Sequence, residues 1–247
     1  MSADIIDYKI IGDDMQAVII TLDPSEAVVA EAGAMMYLDP DVEMATQLSM
    51  KSGGTGGVFG KLFEAGKRVV TGESFFITYF ANHGNVRRDC AFAAPFPGHV
   101  IPIELADHQG ELVCQKDSFL VAARGVEIGI AFQKKLGVGL FGGEGFILQR
   151  LRGDGKVFVH AGGTLMQKRL NGERLRVDTG CIVAFESGID YDIELAGGLK
   201  SMLFGGEGVF LATLEGHGTV WLQSLPFARL ADRVLENAVR LKQDDRS

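Results

Sequence analysis

Apolar residues in this chain fall in short runs, rich in β-branched and aromatic side chains and bounded by Gly, Asp or Asn. Phe75-Phe76-Ile77-Thr78-Tyr79-Phe80, Phe146-Ile147-Leu148, Val157-Phe158-Val159, Val209-Phe210-Leu211 and Val220-Trp221-Leu222 each read as a β-strand. Only after Pro226 does the period change. Phe227, Leu230, Ala231, Val234, Leu235, Ala238 and Leu241 then recur at three- and four-residue steps. Arg229, Asp232, Arg233, Glu236 and Arg240 fill the other face, so this segment is an amphipathic helix. Such a helix either caps the preceding strands or makes a contact between copies. The tail from Lys242 to Ser247 reads as disordered.

The strand pattern repeats. Leu140-Phe141-Gly142-Gly143-Glu144-Gly145-Phe146 returns as Leu203-Phe204-Gly205-Gly206-Glu207-Gly208-Val209, and Thr71-Gly72-Glu73-Ser74-Phe75-Phe76 is a fainter copy. A glycine follows each Glu at the same distance: Gly84, Gly155 and Gly218. Because Gly makes left-handed turn positions cheap, the Gly-x-Gly turns predict a β-hairpin in each repeat. A second repeated element, Asp117-Ser118-Phe119-Leu120-Val121-Ala122 and Asp178-Thr179-Gly180-Cys181-Ile182-Val183-Ala184, precedes the later two hairpins, with a weaker relative at Val28-Val29-Ala30-Glu31-Ala32-Gly33. The organisation expected is three β units, 1–95 with an insert at about 52–70, 96–162 and 163–225, followed by the helix and tail at 226–247. Each is a small sandwich or half-barrel, too small to stand well alone, so the three should bury one another's open faces.

Composition narrows the chemistry. A net charge of -8 disfavours a phosphate backbone as partner, so no nucleic-acid binding is expected. The 33 glycines with only six prolines point to many turns rather than to disorder. Cys90, Cys114 and Cys181 form no C-x-x-C, and the first residues lack a basic-then-apolar leader, which together suggest a reducing cytoplasmic setting.

Familiar site motifs fail on their context. Gly137-Val138-Gly139-Leu140-Phe141-Gly142 matches G-x-G-x-x-G but runs into the repeated β element, not into a helix. The Gly-rich run ending at Lys61 has Thr55 where a phosphate loop needs Gly, and Leu62 where it needs Ser or Thr. His83, His99, His108, His160 and His217 show no metal-ligand spacing, and no G-x-S-x-G elbow occurs. No catalytic residue, metal or cofactor is therefore expected. His83, Asp154 and His217 occupy equivalent positions and read as polar turn residues.

The repeated Glu73, Glu144 and Glu207 are the one candidate ligand set. Under pseudo-threefold symmetry they would converge near an axis and could bind a cation or a small molecule. The structural alternative, in which each accepts backbone N–H bonds in its glycine-rich turn, is favoured because repetition preserves such features by descent. Within the insert, Lys61, Lys67 and Arg68 alternate with Phe59, Leu62, Phe63, Val69 and Val70. Residues 58–70 thus suit a lid helix, or less readily an anionic membrane surface.

Gly72-Glu73-Ser74-Phe75-Phe76, Pro97-Gly98-His99-Val100, Phe141-Gly142-Gly143-Glu144-Gly145 and Gly216-x-Gly218-x-Val220-Trp221-Leu222-Gln223 together resemble the altered inheritance of mitochondria (Aim-type) family over roughly 5–225. The resemblance implies an all-β, TRAP-like fold: three tandem β-sandwich units of shortened double-stranded β-helix type around a pseudo-threefold axis. It supplies no catalytic residues. The tryptophan-dependent RNA-binding attenuation protein binds RNA through a basic and aromatic surface, and this acidic chain has no such stripe. The reading is a non-catalytic scaffold or assembly protein, homo-oligomeric, with an unidentified protein partner. Its alternatives are a cation- or small-molecule-binding module and a peripheral membrane protein.

Overall fold

The computed structural model describes residues 2–48, 76–134, 146–196 and 209–244. Along the chain lie β1 (Asp7–Ile11), β2 (Ala17–Leu22), β3 (Ala27–Ala30), β4 (Met35–Leu38), β5 (Val42–Leu48), β6 (Phe76–Asn82) and β7 (Arg88–Ala93). Then come β8 (Gly98–Glu104), β9 (Glu111–Gln115), β10 (Phe119–Ala123), β11 (Glu127–Lys134), β12 (Phe146–Arg152) and β13 (Lys156–Gly162). The last are β14 (Leu165–Asp178), β15 (Ile182–Glu186), β16 (Ile189–Ala196), β17 (Val209–Gln223) and the helix α1 (Phe227–Asp244). Among the described residues the fold is all-β, with a helix at the C-terminal end.

Three antiparallel sheets follow, in the orders β1-β2-β7-β4, β5-β6-β3-β10-β13-β8 and β11-β12-β9-β15-β17-β14, with β16 also pairing β17. Stretches 1–95 and 96–162 both contribute to the middle sheet, and 96–162 and 163–225 both contribute to the last. Strands that look continuously apolar do so because each of their faces meets a different core. On β13, Phe158 joins the cluster of Val18, Ile20, Phe80 and Phe92. Its neighbours Val157 and Val159 join Leu112, Cys114 and Trp221 in a second cluster. On β9, Val113 turns the other way into a third, with Phe146, Leu148 and Phe185. The first core therefore lies between the first and middle sheets, the second between the middle and last, and the third is enclosed by strands of the last sheet.

The expected hairpins are absent. β6 pairs with β3 and β5, whereas β7 pairs with β2 and β4. β12 pairs with β9 and β11, whereas β13 pairs with β8 and β10. In the third copy Gly216 and Gly218 lie inside the continuous strand β17, at the point where its neighbour changes from β16 to β15. Gly153, Gly216 and Gly218 do take the positive φ that the turns were expected to need, at 143°, 135° and 155°, and the glycines also allow close approach. A Cβ on Gly155 would stand 2.4 Å from that of Ala3, and one on Gly218 only 2.8 Å from a Glu186 carboxylate oxygen. The hairpin pattern and the layer crossing share one sequence signature, because both need glycine beside two apolar runs.

Helix α1 begins where Pro226 suits a first turn that needs no further N–H partner. The Phe227 ring lies 5.3 Å from Phe96, and Arg229 donates to Asp178 at 3.0 Å. The helix continues through Lys242 to Asp244, so the front of the expected disordered tail is helical.

Candidate functional site

Glu73, Glu144 and Glu207, and the insert at 52–70, lie outside the described residues. Among the described residues no group of three or more His, Cys, Asp or Glu side chains is placed to hold a metal ion. The polar constellation the fold does build is one that sequence reading passes over. His108 closes the 3-10 turn Leu105–His108, released by Gln109 at a left-handed φ of 59°. Glu186 ends β15 and Thr219 lies on β17. His108 Nδ1 and Glu186 Oε1 are 2.8 Å apart, and both side chains are mostly buried. Burial alone would raise the Glu186 pKa. Hydrogen bonds from His108 and from the backbone and hydroxyl of Thr219 outweigh it and hold the carboxyl below its usual range. The Trp221 ring stands edge-on to the imidazole at 5.5 Å.

A carboxylate orienting an imidazole is the geometry of a general base. Among the described residues, however, no hydroxyl or thiol hydrogen-bonds that ring. The thiols are also poor nucleophiles, since burial pushes Cys90 up to about 12 and raises Cys114 and Cys181. What the pair accomplishes is to tie the 105–109 turn to β15 and β17. His108→Ala should therefore lower stability by about 1–3 kcal/mol, the usual loss when a charged hydrogen-bond partner is left buried. Urea unfolding of the variant checks this, and an unchanged midpoint would refute it.

The equivalent polar positions are likewise structural. Asp154 accepts from the Ala3 N–H at 2.8 Å and the Ser2 hydroxyl at 3.1 Å, which hold its carboxyl low. Asp4 accepts from the Ala27 N–H and pairs with Arg124. His217 lies against Gly172, and its own N–H reaches the Gly188 carbonyl. His160 is 1% exposed, and neither ring nitrogen has a hydrogen-bond partner among the described residues.

The outer surface has its own pattern. Tyr8 and Ile11 on β1, Met36 and Tyr37 on β4, Met44 on β5, Ile130 on β11 and Met166 on β14 are the exposed large apolar side chains carried by described strands. Every one of these strands is the edge of its sheet. No described helix is long and apolar enough to cross a membrane.

Comparison with known proteins agrees with this architecture. A crystal structure of a Streptococcus pyogenes protein superposes with a TM-score of 0.71 at 26% identity, covering 94% of this chain and 99% of that one. An uncharacterized protein of Streptococcus pyogenes serotype M6 is 31% identical over 213 residues, 86% of this chain and 82% of the relative. Residues 8–225 match the family described as mitochondrial biogenesis AIM24, and the chain belongs to that family.

Proposed function

We propose that the protein is a non-catalytic scaffold that assembles with copies of itself and, through them, with a protein partner. The observation that carries this reading is the placement of exposed apolar side chains on sheet edges. Natural edge strands are usually guarded by charge, because an open edge invites another chain. Here the edges carry exposed Met, Tyr and Ile beside their charges, which lower the cost of association. Polar groups beside the repeated glycines are meanwhile spent on internal ties such as Asp154 to Ala3 and Glu186 to His108.

Within this reading the chain is three related TRAP-like units about a pseudo-threefold axis. Three 3-10 turns, Ala32–Ala34, Lys116–Ser118 and Thr179–Cys181, each sit between two successive strands and lead directly into the second, which supports the relation. The buried free thiols Cys90 and Cys114 suit a reducing, cytoplasmic compartment.

Native mass spectrometry of chain purified without chelator, with sedimentation as a check, tests the proposal. A homo-oligomer with no extra mass is the expected result. A monomer carrying a stoichiometric cation or small molecule would overturn it and point to Glu73, Glu144 and Glu207. A monomer that carries nothing at any concentration overturns it as well.

A further inference from the structure

Charges on the outer face of the β14–β17–β16 sheet are sorted by strand. Two ladder rows cross it, Arg174–Glu215–Asp190 and Arg176–Thr213–Asp192. The alternate positions Val177, Leu214, Ile189 and Ile193 point inward and are largely buried, so the charged side chains all share the opposite, solvent face. β14 thus presents two guanidiniums, and β16 presents Asp190, Asp192 and Glu194, all exposed.

Internal pairing uses little of this charge. Arg174 donates to Glu215 at 2.8 Å. In the next row the central residue is Thr213, uncharged and too short to bridge, and an open groove of about 500 Å³ lies over it. Among the described residues Arg176, Asp190, Asp192 and Glu194 have no ion-pair partner. Three carboxylates in succession on one strand face repel one another, so the arrangement costs free energy in an isolated chain. Asp178, next along β14, is already engaged by Arg229.

We propose that this face binds the same face of a second copy about a two-fold axis parallel to β17. Rotation about that axis exchanges the β14 side with the β16 side while keeping each row at its own level. Arg174 then lies over the second copy's Asp190, and Arg176 over its Asp192, each pair formed twice. A two-fold axis across the strands would instead stack Arg on Arg and Asp on Asp. A wholly basic partner would meet Arg174 and Arg176, and a wholly acidic one would meet β16. The matching surface is one with the same two stripes in exchanged order, which the chain itself supplies. The stretch where all three strands run side by side is limited by the length of β16, Ile189–Ala196, and covers less than the ~800 Å² per partner of a standard interface, so this contact is reversible and weakens with salt.

The proposal rests on the assembly reading and names a surface for it. Its test uses two full-length variants, Arg174→Glu/Arg176→Glu and Asp190→Arg/Asp192→Arg, each checked by circular dichroism and followed by sedimentation velocity at low salt. Each variant alone sets like charges opposite one another across the axis and should associate roughly tenfold or more weakly than the wild type. Their equimolar mixture restores opposite charges across the axis and should recover the dimer. Wild-type-like association of each variant alone would overturn the proposal and leave the assembly reading standing. Failure of the mixture to recover the association of the wild type would overturn the two-fold geometry. A wild type monomeric throughout would overturn both.

Discussion

Gly98→Ala should lower stability by about 3 kcal/mol or more, which for a chain of this size is a fall of roughly 6–12 °C in melting temperature. A Cβ at this position would stand 2.1 Å from the Ala161 carbonyl oxygen and 2.7 Å from two atoms of the His160 ring. The first neighbour is backbone, and it cannot swing aside. β8 meets β13 there in register, with Gly98 opposite Gly162. Gly98 is also fixed along its backbone, since its N–H reaches the Asp14 carbonyl at 2.7 Å and its own carbonyl accepts from Gln16 at 3.1 Å. The added methyl must therefore separate β8 from β13, or lift β8 from the 14–16 segment. Gly129→Ala is the control, because on β11 nothing lies within 4 Å of the new methyl. Calorimetry of both variants decides the matter, and similar melting temperatures for the two would refute the argument.

Much of the secondary structure is legible from side-chain period alone. Val157-Phe158-Val159 and Val220-Trp221-Leu222 are strands because β-branched and aromatic runs suit a pleated surface, and the step of three or four from Phe227 to Leu241 is a helix. Strand pairing is less legible. Period does not say which sheet a strand joins, and a run apolar on both faces looks the same in a hairpin as at a crossing between layers. Only the destination of the second strand distinguishes them, and that is a long-range property. Gly218 takes the positive φ inferred for it, and Gly155 and Gly218 have a second reason that sequence does not show, close approach to Ala3 and Glu186. The His108–Glu186 pair joins residues far apart in the chain, in segments where no repeated motif draws attention to them. The available clue was indirect: a repeated glycine marks a crowded place, and Glu186 is part of what crowds Gly218.

Acid should weaken this protein through His160 before its carboxylates titrate fully. Burial, aided by the like charge of His99, depresses the His160 pKa to about 4. The Phe96 ring stands edge-on at 4.6 Å, and Gly98 closes the other approach, so an imidazolium there would be buried with no hydrogen-bond partner among the described residues. The unfolded chain takes up this proton near pH 6.5, its ordinary value, whereas the folded chain resists until about pH 4. Between those limits the unfolded state binds more protons, so stability falls as pH falls. The contribution is complete above pH 6.5 and is lost by about pH 4, at up to ~1.4 kcal/mol per pH unit and about 3 kcal/mol in all. His160→Leu removes the titrating group and also two buried nitrogens without partners, so its stability near neutral pH should equal or exceed that of the wild type. Carboxylates titrate alike in both proteins, which makes the difference between their stability curves the informative quantity. Urea unfolding at intervals from pH 7 to pH 4 should show the two curves diverging by about 3 kcal/mol, with the wild type falling faster. Parallel curves would mean that the His160 ring gains a partner or water in solution, and the acid sensitivity would then have to arise elsewhere.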